Sequence, residues 1–112
     1  MSKASEQTDT YPPTTNDGFL LDHESWTPAV AEELAASIAT NLTEAHWEII
    51  HYIRGYFERF RHLPNNRMFV KAVQKELGDE KGNSRYLNGL FPGSPVKWAC
   101  LIAGLPKPPG CL

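Results

Sequence analysis

The stretch from Thr43 to Arg61, "TEAHWEIIHYIRGYFERFR", constrains this chain more than any other. Ile50, Ile53, Phe57 and Phe60 recur at steps of three, four and three. That spacing puts them on one face of an α-helix of about five turns, and Trp47 extends the face. Thr43 is an N-cap residue, and Glu44 meets the positive end of the helix dipole. Gly55 weakens the helix by about 1 kcal/mol relative to alanine and marks a candidate close crossing with a second helix. Pro64 ends the segment.

The remaining periodicities supply partners for that face. "TPAVAEELAASIA" predicts a first helix, capped by Thr27 with Pro28 at its first position, and Val30, Leu34 and Ile38 share one side. "PNNRMFVKAVQKELG" predicts a third, capped by Asn65 or Asn66, lined by Phe69, Val73 and Leu77 with Val70 alongside, and closed by Gly78. Ser84 is placed to cap a short helix carrying Tyr86, Leu87, Leu90 and Phe91, which Pro92-Gly93 breaks. Ser94 then caps a last helix, "PVKWACLIAG", with Pro95 at its first position and Gly104 at its end. Asn16-Asp17-Gly18 is a turn signal that allows a short N-terminal β-hairpin or an extended arm. The expected fold is mainly α: a small orthogonal bundle of about five helices. Residues 1–17 read as a mostly disordered or extended segment, 18–103 as the helical domain, and 104–112 as a mobile C-terminal arm.

A chain of 112 residues holds one modest core and one domain. No apolar run approaches the roughly 20 residues that span a bilayer. The first 20 residues lack the apolar stretch of a secretory signal, so the expected compartment is the cytoplasm and no membrane partner is implied. Thiols stay reduced there, and two cysteines point to chemistry before a structural bridge. The net charge of −2 is unevenly spread. Residues 1–61 hold four Lys/Arg against ten Asp/Glu, and residues 62–112 hold seven against three. Both cysteines lie in the positive half, which favours thiolates and anionic partners.

The tail "GLPKPPGCL" places Cys111 one residue from the end of the sequence, on a strip of proline and glycine that builds no core. Cys100 lies eleven positions earlier, in the last helix. Alone it reads as a buried structural thiol. The tail is extended or polyproline-like, and from Gly104 to Cys111 it reaches roughly 25 Å at about 3.3 Å per residue. Folded back, it brings Cys111 within the Cα separation of about 4.4–6.8 Å that a disulfide needs. Gly104 and Gly110 are hinges, and Pro106, Pro108 and Pro109 stiffen what lies between. An accessible thiol on such an arm suits a carrier. A thiolate takes the terminal sulfur of a donor persulfide and offers it to the next thiolate. Lys97, three residues before Cys100, and Lys107 on the arm are placed to lower a thiol pKa. Arg85 is a candidate contact for a partner or an anionic sulfur species. The four histidines have no metal-ligand spacing, so no metal site is expected, and no cofactor motif is present.

"KGNSRYL", "LFPGSPVKWAC" and "GLPKPPGCL", in this order and spacing, closely resemble the C-terminal block of the DsrC/TusE sulfur-relay proteins, and "LTEAHWEIIHYIRGYFERF" resembles their long central helix. The resemblance runs from about Gly18 to Leu112. It implies a mainly helical fold with a small N-terminal hairpin and a mobile arm whose penultimate cysteine, here Cys111, carries persulfide sulfur. In the DsrC branch a second cysteine, here Cys100, joins it as resolving thiol, and the acceptor is dissimilatory sulfite reductase or a related enzyme. The TusE branch typically lacks that cysteine. It takes sulfur from a donor complex of the TusBCD or DsrEFH kind and passes it to the enzyme that thiolates the wobble uridine of tRNA. Cys100 tilts this chain towards the DsrC branch. Two asparagines in "HLPNNRMFVKAV" stand where the family usually has small apolar residues.

Two alternatives stay open beside the dissimilatory carrier. One is a TusE-like step in tRNA thiolation. The other is a helix-turn-helix-like nucleic-acid module using Arg67, Lys71 and Lys75, which share a face of the third helix. The overall negative charge argues against direct nucleic-acid binding. The chain lacks paired carboxylates, a catalytic triad and a phosphate loop, so it reads as a persulfide-carrying co-substrate of sulfurtransferase type. Nothing in it calls for more than a monomer.

Overall fold

A computed structural model describes residues 12–111. Among the described residues five helices follow one another: α1 (Pro28–Ser37), α2 (Glu44–Phe60), α3 (Asn66–Leu77), α4 (Ser84–Leu90) and α5 (Pro95–Ile102), with a 3-10 turn at His23–Ser25 before them. Helix α5 is the hub. The other four all pack against it, and Pro95, Val96, Ala99, Cys100, Leu101 and Ile102 of its eight residues are buried. A helix this apolar on all sides belongs in the middle of a small domain.

The helix starts follow local capping chemistry. The hydroxyl of Thr27 accepts from the Val30 amide, and Pro28 opens α1. Thr43 caps α2 in a reciprocal box in which His46 takes the place usually held by Glu or Gln. Its Nδ1 accepts from the Thr43 amide at 3.1 Å, so Nε2 carries the proton and donates to the Leu90 carbonyl at 2.8 Å. One buried imidazole thus starts α2 and ties it to the end of α4. Asn83, rather than Ser84, caps α4, because its side chain accepts from the Tyr86 amide. Ser94 occupies the cap position of α5 without a side-chain bond. The side chain of Asn66 accepts from the Val96 amide there instead, at 3.2 Å. Asn65 caps its own helix α3 through the Met68 amide. The two adjacent asparagines therefore start two different helices.

Three expectations need correction. The apolar face of α2 is buried through Ile49, Ile50 and Ile53, but Phe57 is half-buried and Phe60 is 48% exposed. The helix outruns the core. Gly55 marks no close crossing, since a Cβ built on it meets nothing within 4 Å. The N-terminal hairpin is reduced to one antiparallel bridge, Thr14 to Leu20, closed by a turn with Gly18 at φ 95°. No strand forms among the described residues. Most of the predicted N-terminal segment, residues 1–11, lies outside the described residues.

Helix α1 ends in a Schellman motif: the Thr40 amide donates to Ala35 and the Ala39 amide to Ala36. The left-handed position falls on Ala39, at φ 55°, where an L residue is strained by about 1 kcal/mol or more. Two opposite substitutions are therefore expected to stabilise the fold. Ala39→Gly removes that strain, and Gly55→Ala improves an open helix position, each by about 0.5–1 kcal/mol. Thermal denaturation checks both. For a domain of this size each should raise Tm by a few degrees.

Candidate functional site

The site is built at the C-terminal end of α5. Cys100 lies in the middle of that helix with no exposed surface. Burial in an apolar core pushes its thiol well above the ordinary value near 9.0, and the charge of Cys111 pushes it further in the same direction. The two sulfurs therefore lie within electrostatic reach of each other. Both are free thiols.

The chain leaves α5 through a second Schellman motif. Gly104, at φ 72°, donates to Leu101 at 3.2 Å, and Leu105 donates to the carbonyl of Cys100 itself at 3.0 Å. The last two carbonyls find side-chain donors from far along the chain. Trp26 Nε1 donates to Ile102 at 2.9 Å, and Arg54 Nη1 donates to Ala103 at 2.8 Å. The Arg54 guanidinium also lies 4.2 Å over the Trp26 ring. A cation at this end complements the helix dipole. Burial lowers the pKa of Arg54, against an opposing pull from Glu58, but a guanidinium stays charged at any working pH. Gly104 has no substitute here, because a Cβ would come within 2.5 Å of Trp26 and 2.9 Å of Leu20.

Beyond this root the arm folds back over the body. Leu105 and Pro108 are buried, while Pro106, Lys107, Pro109 and Gly110 face solvent. The Cys111 amide donates to Pro108 at 3.4 Å in a turn that Gly110, at φ 81°, permits. That turn sets Cys111, half-buried, against the core. Lys107 Nζ meets the Asp17 carboxylate at 2.8 Å. The Lys107 ammonium, then the Thr15 hydroxyl, hold the Asp17 carboxyl down to about 2.

Cys111 packs against the core that buries Cys100, within electrostatic reach of it. The structure does not give Cys100 an activating cation: Lys107 is engaged by Asp17, Lys97 lies 4.7 Å over the Trp98 ring, and neither lowers the Cys100 thiol. The expectation of a depressed pKa is reversed at Cys100, because desolvation dominates. Arg85 is exposed on α4. Sequence reasoning missed Trp26, Arg54 and Asp17. The one signal for Arg54 is its place four residues after Ile50 and three before Phe57, a charge on the edge of an apolar face.

The raised thiol has a measurable consequence. Below its ordinary value Cys100 is protonated in folded and unfolded chains alike. Above it the unfolded chain sheds the proton and the folded chain keeps it, so folding stability falls by about 1.4 kcal/mol per pH unit from this group. Urea denaturation from pH 8 to 10.5 is expected to show stability almost flat near pH 8, falling towards that slope above about pH 9 in the native protein, and the loss of this contribution in Cys100→Ala. In the folded protein iodoacetamide should modify Cys111 first and reach Cys100 only slowly.

The sequence model of the family described as DsrC like protein matches residues 6–112. The chain is similar to the sulfurtransferase TusE homolog of Haemophilus influenzae, at 46% identity over 99 residues, 88% of this chain and 91% of that one. It is similar also to sulfurtransferase TusE of Photorhabdus laumondii, at 48% identity over 99 residues, 88% and 89% of the two chains. Among solved structures, it is similar to the NMR structure of Allochromatium vinosum DsrC, with a TM-score of 0.80, 47% identity and 88% of each chain covered. It is similar as well to the oxidized γ-subunit of dissimilatory sulfite reductase (DsrC) of Archaeoglobus fulgidus, with a TM-score of 0.75, 45% identity and 90% and 92% of the chains covered. By the family match and these relatives, the chain belongs to the DsrC-like family.

Proposed function

We propose that this protein is a two-cysteine sulfur carrier working in the cytoplasm. Its supporting observation is the pairing of a half-buried arm thiol, Cys111, with a fully buried one, Cys100, within electrostatic reach. The Cys111 thiolate attacks the outer sulfur of a donor persulfide. The donor's S–S bond breaks, the donor leaves as a thiolate, and Cys111 becomes a persulfide with no net redox change. The sulfur then passes to an acceptor protein. In the other exit, the Cys100 thiolate attacks the inner sulfur of the loaded Cys111. A Cys100–Cys111 disulfide forms, hydrosulfide leaves with the electron pair, and an external dithiol reductant resets the protein.

The arm's anchoring supports this division of labour. Its root donates two hydrogen bonds to the end of α5, and Trp26 and Arg54 donate two more to the carbonyls just before it. Its outer part is held by one exposed ion pair, which contributes little in water, and by the packing of Pro108 and Cys111. The tip is therefore the part free to leave for a partner's active site, while the root keeps its bearing. The Cys100 thiol and the DsrC relatives favour an acceptor of the dissimilatory sulfite reductase kind, with Lys97, Lys107 and Arg85 as candidate partner contacts. Relatives named TusE favour a second reading, in which the acceptor is a tRNA-thiolating enzyme and Cys100 is dispensable.

Incubation with glutathione persulfide followed by mass spectrometry tests the carrier. The expected result is a gain of about 32 Da on the peptide holding Cys111, absent in Cys111→Ser. Cys100→Ser should load normally but release no hydrosulfide and form no internal disulfide. Loading that persists in Cys111→Ser overturns the proposal. To separate the two acceptors, Cys100→Ser is returned to a strain lacking the gene. Full recovery of wobble 2-thiouridine there would favour the tRNA pathway.

A further inference from the structure

The strongest feature outside the thiol site is a groove of about 700 Å³ on the face of α2 away from the arm root. Helices α2 and α3 both pack on α5 but barely on each other, and the groove opens where they part. Its floor stays clear because Gly55 carries no side chain and faces open space. Three large apolar side chains are strongly exposed among the described residues, and two of them, Phe60 and Met68 at 48% and 52%, line this groove from opposite helices. Tyr52 and Tyr56 continue the apolar wall.

The rim is basic. Arg59 on α2 and Lys71 and Lys75 on α3 line it, with Glu76 as the single carboxylate of the lining. Arg67 lies one turn before Lys71 on the same helix. In a chain of net charge −2, this is a local reversal of sign. Aromatic rings, a pliable methionine and arginine, with one carboxylate among them, make up the composition of a protein–protein contact. Exposed apolar surface ringed by one sign of charge selects a partner of the opposite sign.

We propose that this groove docks an acidic segment of a partner protein, which seats an apolar side chain between Phe60 and Met68 and sets its carboxylates on Arg59, Lys71 and Lys75. The proposal rests on the relay reading for its purpose. A reactive thiol on a short arm meets the right partner only if the body is recognised, and this surface shares no residue with the arm. The observations favour a protein over a nucleic-acid strand. Base stacking needs open ring faces. Here Tyr56 and Phe60 lean on each other at 4.8 Å and 56°, Tyr52 meets Tyr56 at 62°, and the Arg59 guanidinium already lies 5.4 Å over the Phe60 ring.

The test is a selection of phage-displayed random sixteen-residue peptides on the immobilised full-length protein, followed by fluorescence anisotropy of the enriched peptides. The expected peptides carry Asp or Glu around a Phe, Leu or Trp. Their affinity should drop at least tenfold in Lys71→Glu/Lys75→Glu and in Phe60→Ser, and stay unchanged in Cys111→Ser. Thermal melts verify that the variants fold, and the milder Lys71→Ala/Lys75→Ala serves if the charge reversal does not. The proposal is overturned by failure to enrich any peptide, by peptides without acidic residues, or by binding indifferent to these substitutions. A twelve-nucleotide oligouridine that binds more tightly and loses affinity in the same variants overturns it in favour of RNA. Loading of Cys111 from glutathione persulfide is measured in parallel. Normal loading without acidic-peptide binding sinks the groove alone, and acidic-peptide binding without loading sinks the carrier alone.

Discussion

A helix buried over most of its surface has to end somewhere, and its last carbonyls then lie away from water. In this protein that helix is α5, and the donors it finds determine much of the rest. An unpaired buried carbonyl costs about 1–3 kcal/mol, so each has a partner. Two amides come from the chain just beyond the helix. One indole comes from Trp26, 76 residues away, and one guanidinium from Arg54, 49 residues away. These bonds close the N-terminal segment and the middle of α2 onto the end of α5. They also fix the direction in which the chain departs, which is the direction of the arm. Stability and the position of the reactive thiol thus depend on the same few bonds.

The ends of the other helices repeat this economy. His46 opens α2 and satisfies the last carbonyl of α4. Asn66 belongs to α3 and opens α5. Lys81, from the loop after α3, binds Glu48 on α2 at 2.7 Å. With helices of seven to seventeen residues, none of which is long enough to be stable alone with any margin, such cross-links give cooperativity that the small core does not supply alone.

This explains which parts of the architecture were legible in the sequence. Helices start where Thr27, Thr43 and Asn65 accept from amides two or three residues on, and Pro28 and Pro95 act only on their own φ. Those signals are local, and they read correctly. The Ser84 cap did not, because the adjacent Asn83 holds that place, and Ser94 stands at its cap position while Asn66 from another helix supplies the bond. At the site, the cysteine spacing and the tail's glycines and prolines marked the two thiols. Trp26 and Arg54 carried no comparable mark, since their task exists only once distant segments meet. Lys97 and Lys107 misled for the same reason: proximity in sequence to a thiol says nothing of Asp17 or of the Trp98 ring, which hold them in the fold.

The unequal surroundings of the two sulfurs bear on timing. Only a thiolate attacks, and Cys100 is held protonated by burial, with the charge of Cys111 adding to the effect. A carrier whose two thiols were equally ionised would discharge its sulfur as soon as it was loaded. On the proposed two-cysteine reading, the second step waits for Cys100 to lose its proton inside an apolar core. A negatively charged persulfide on Cys111, lying where the thiol lies now, opposes that loss further. On that reading, burial would protect the cargo while the arm is folded back. Discharge becomes fast only when the end of α5 is opened to water or to a base from elsewhere, and a docked acceptor is one means of doing so. In a two-cysteine carrier the buried thiol then works as a delay, and its high pKa is what makes it useful.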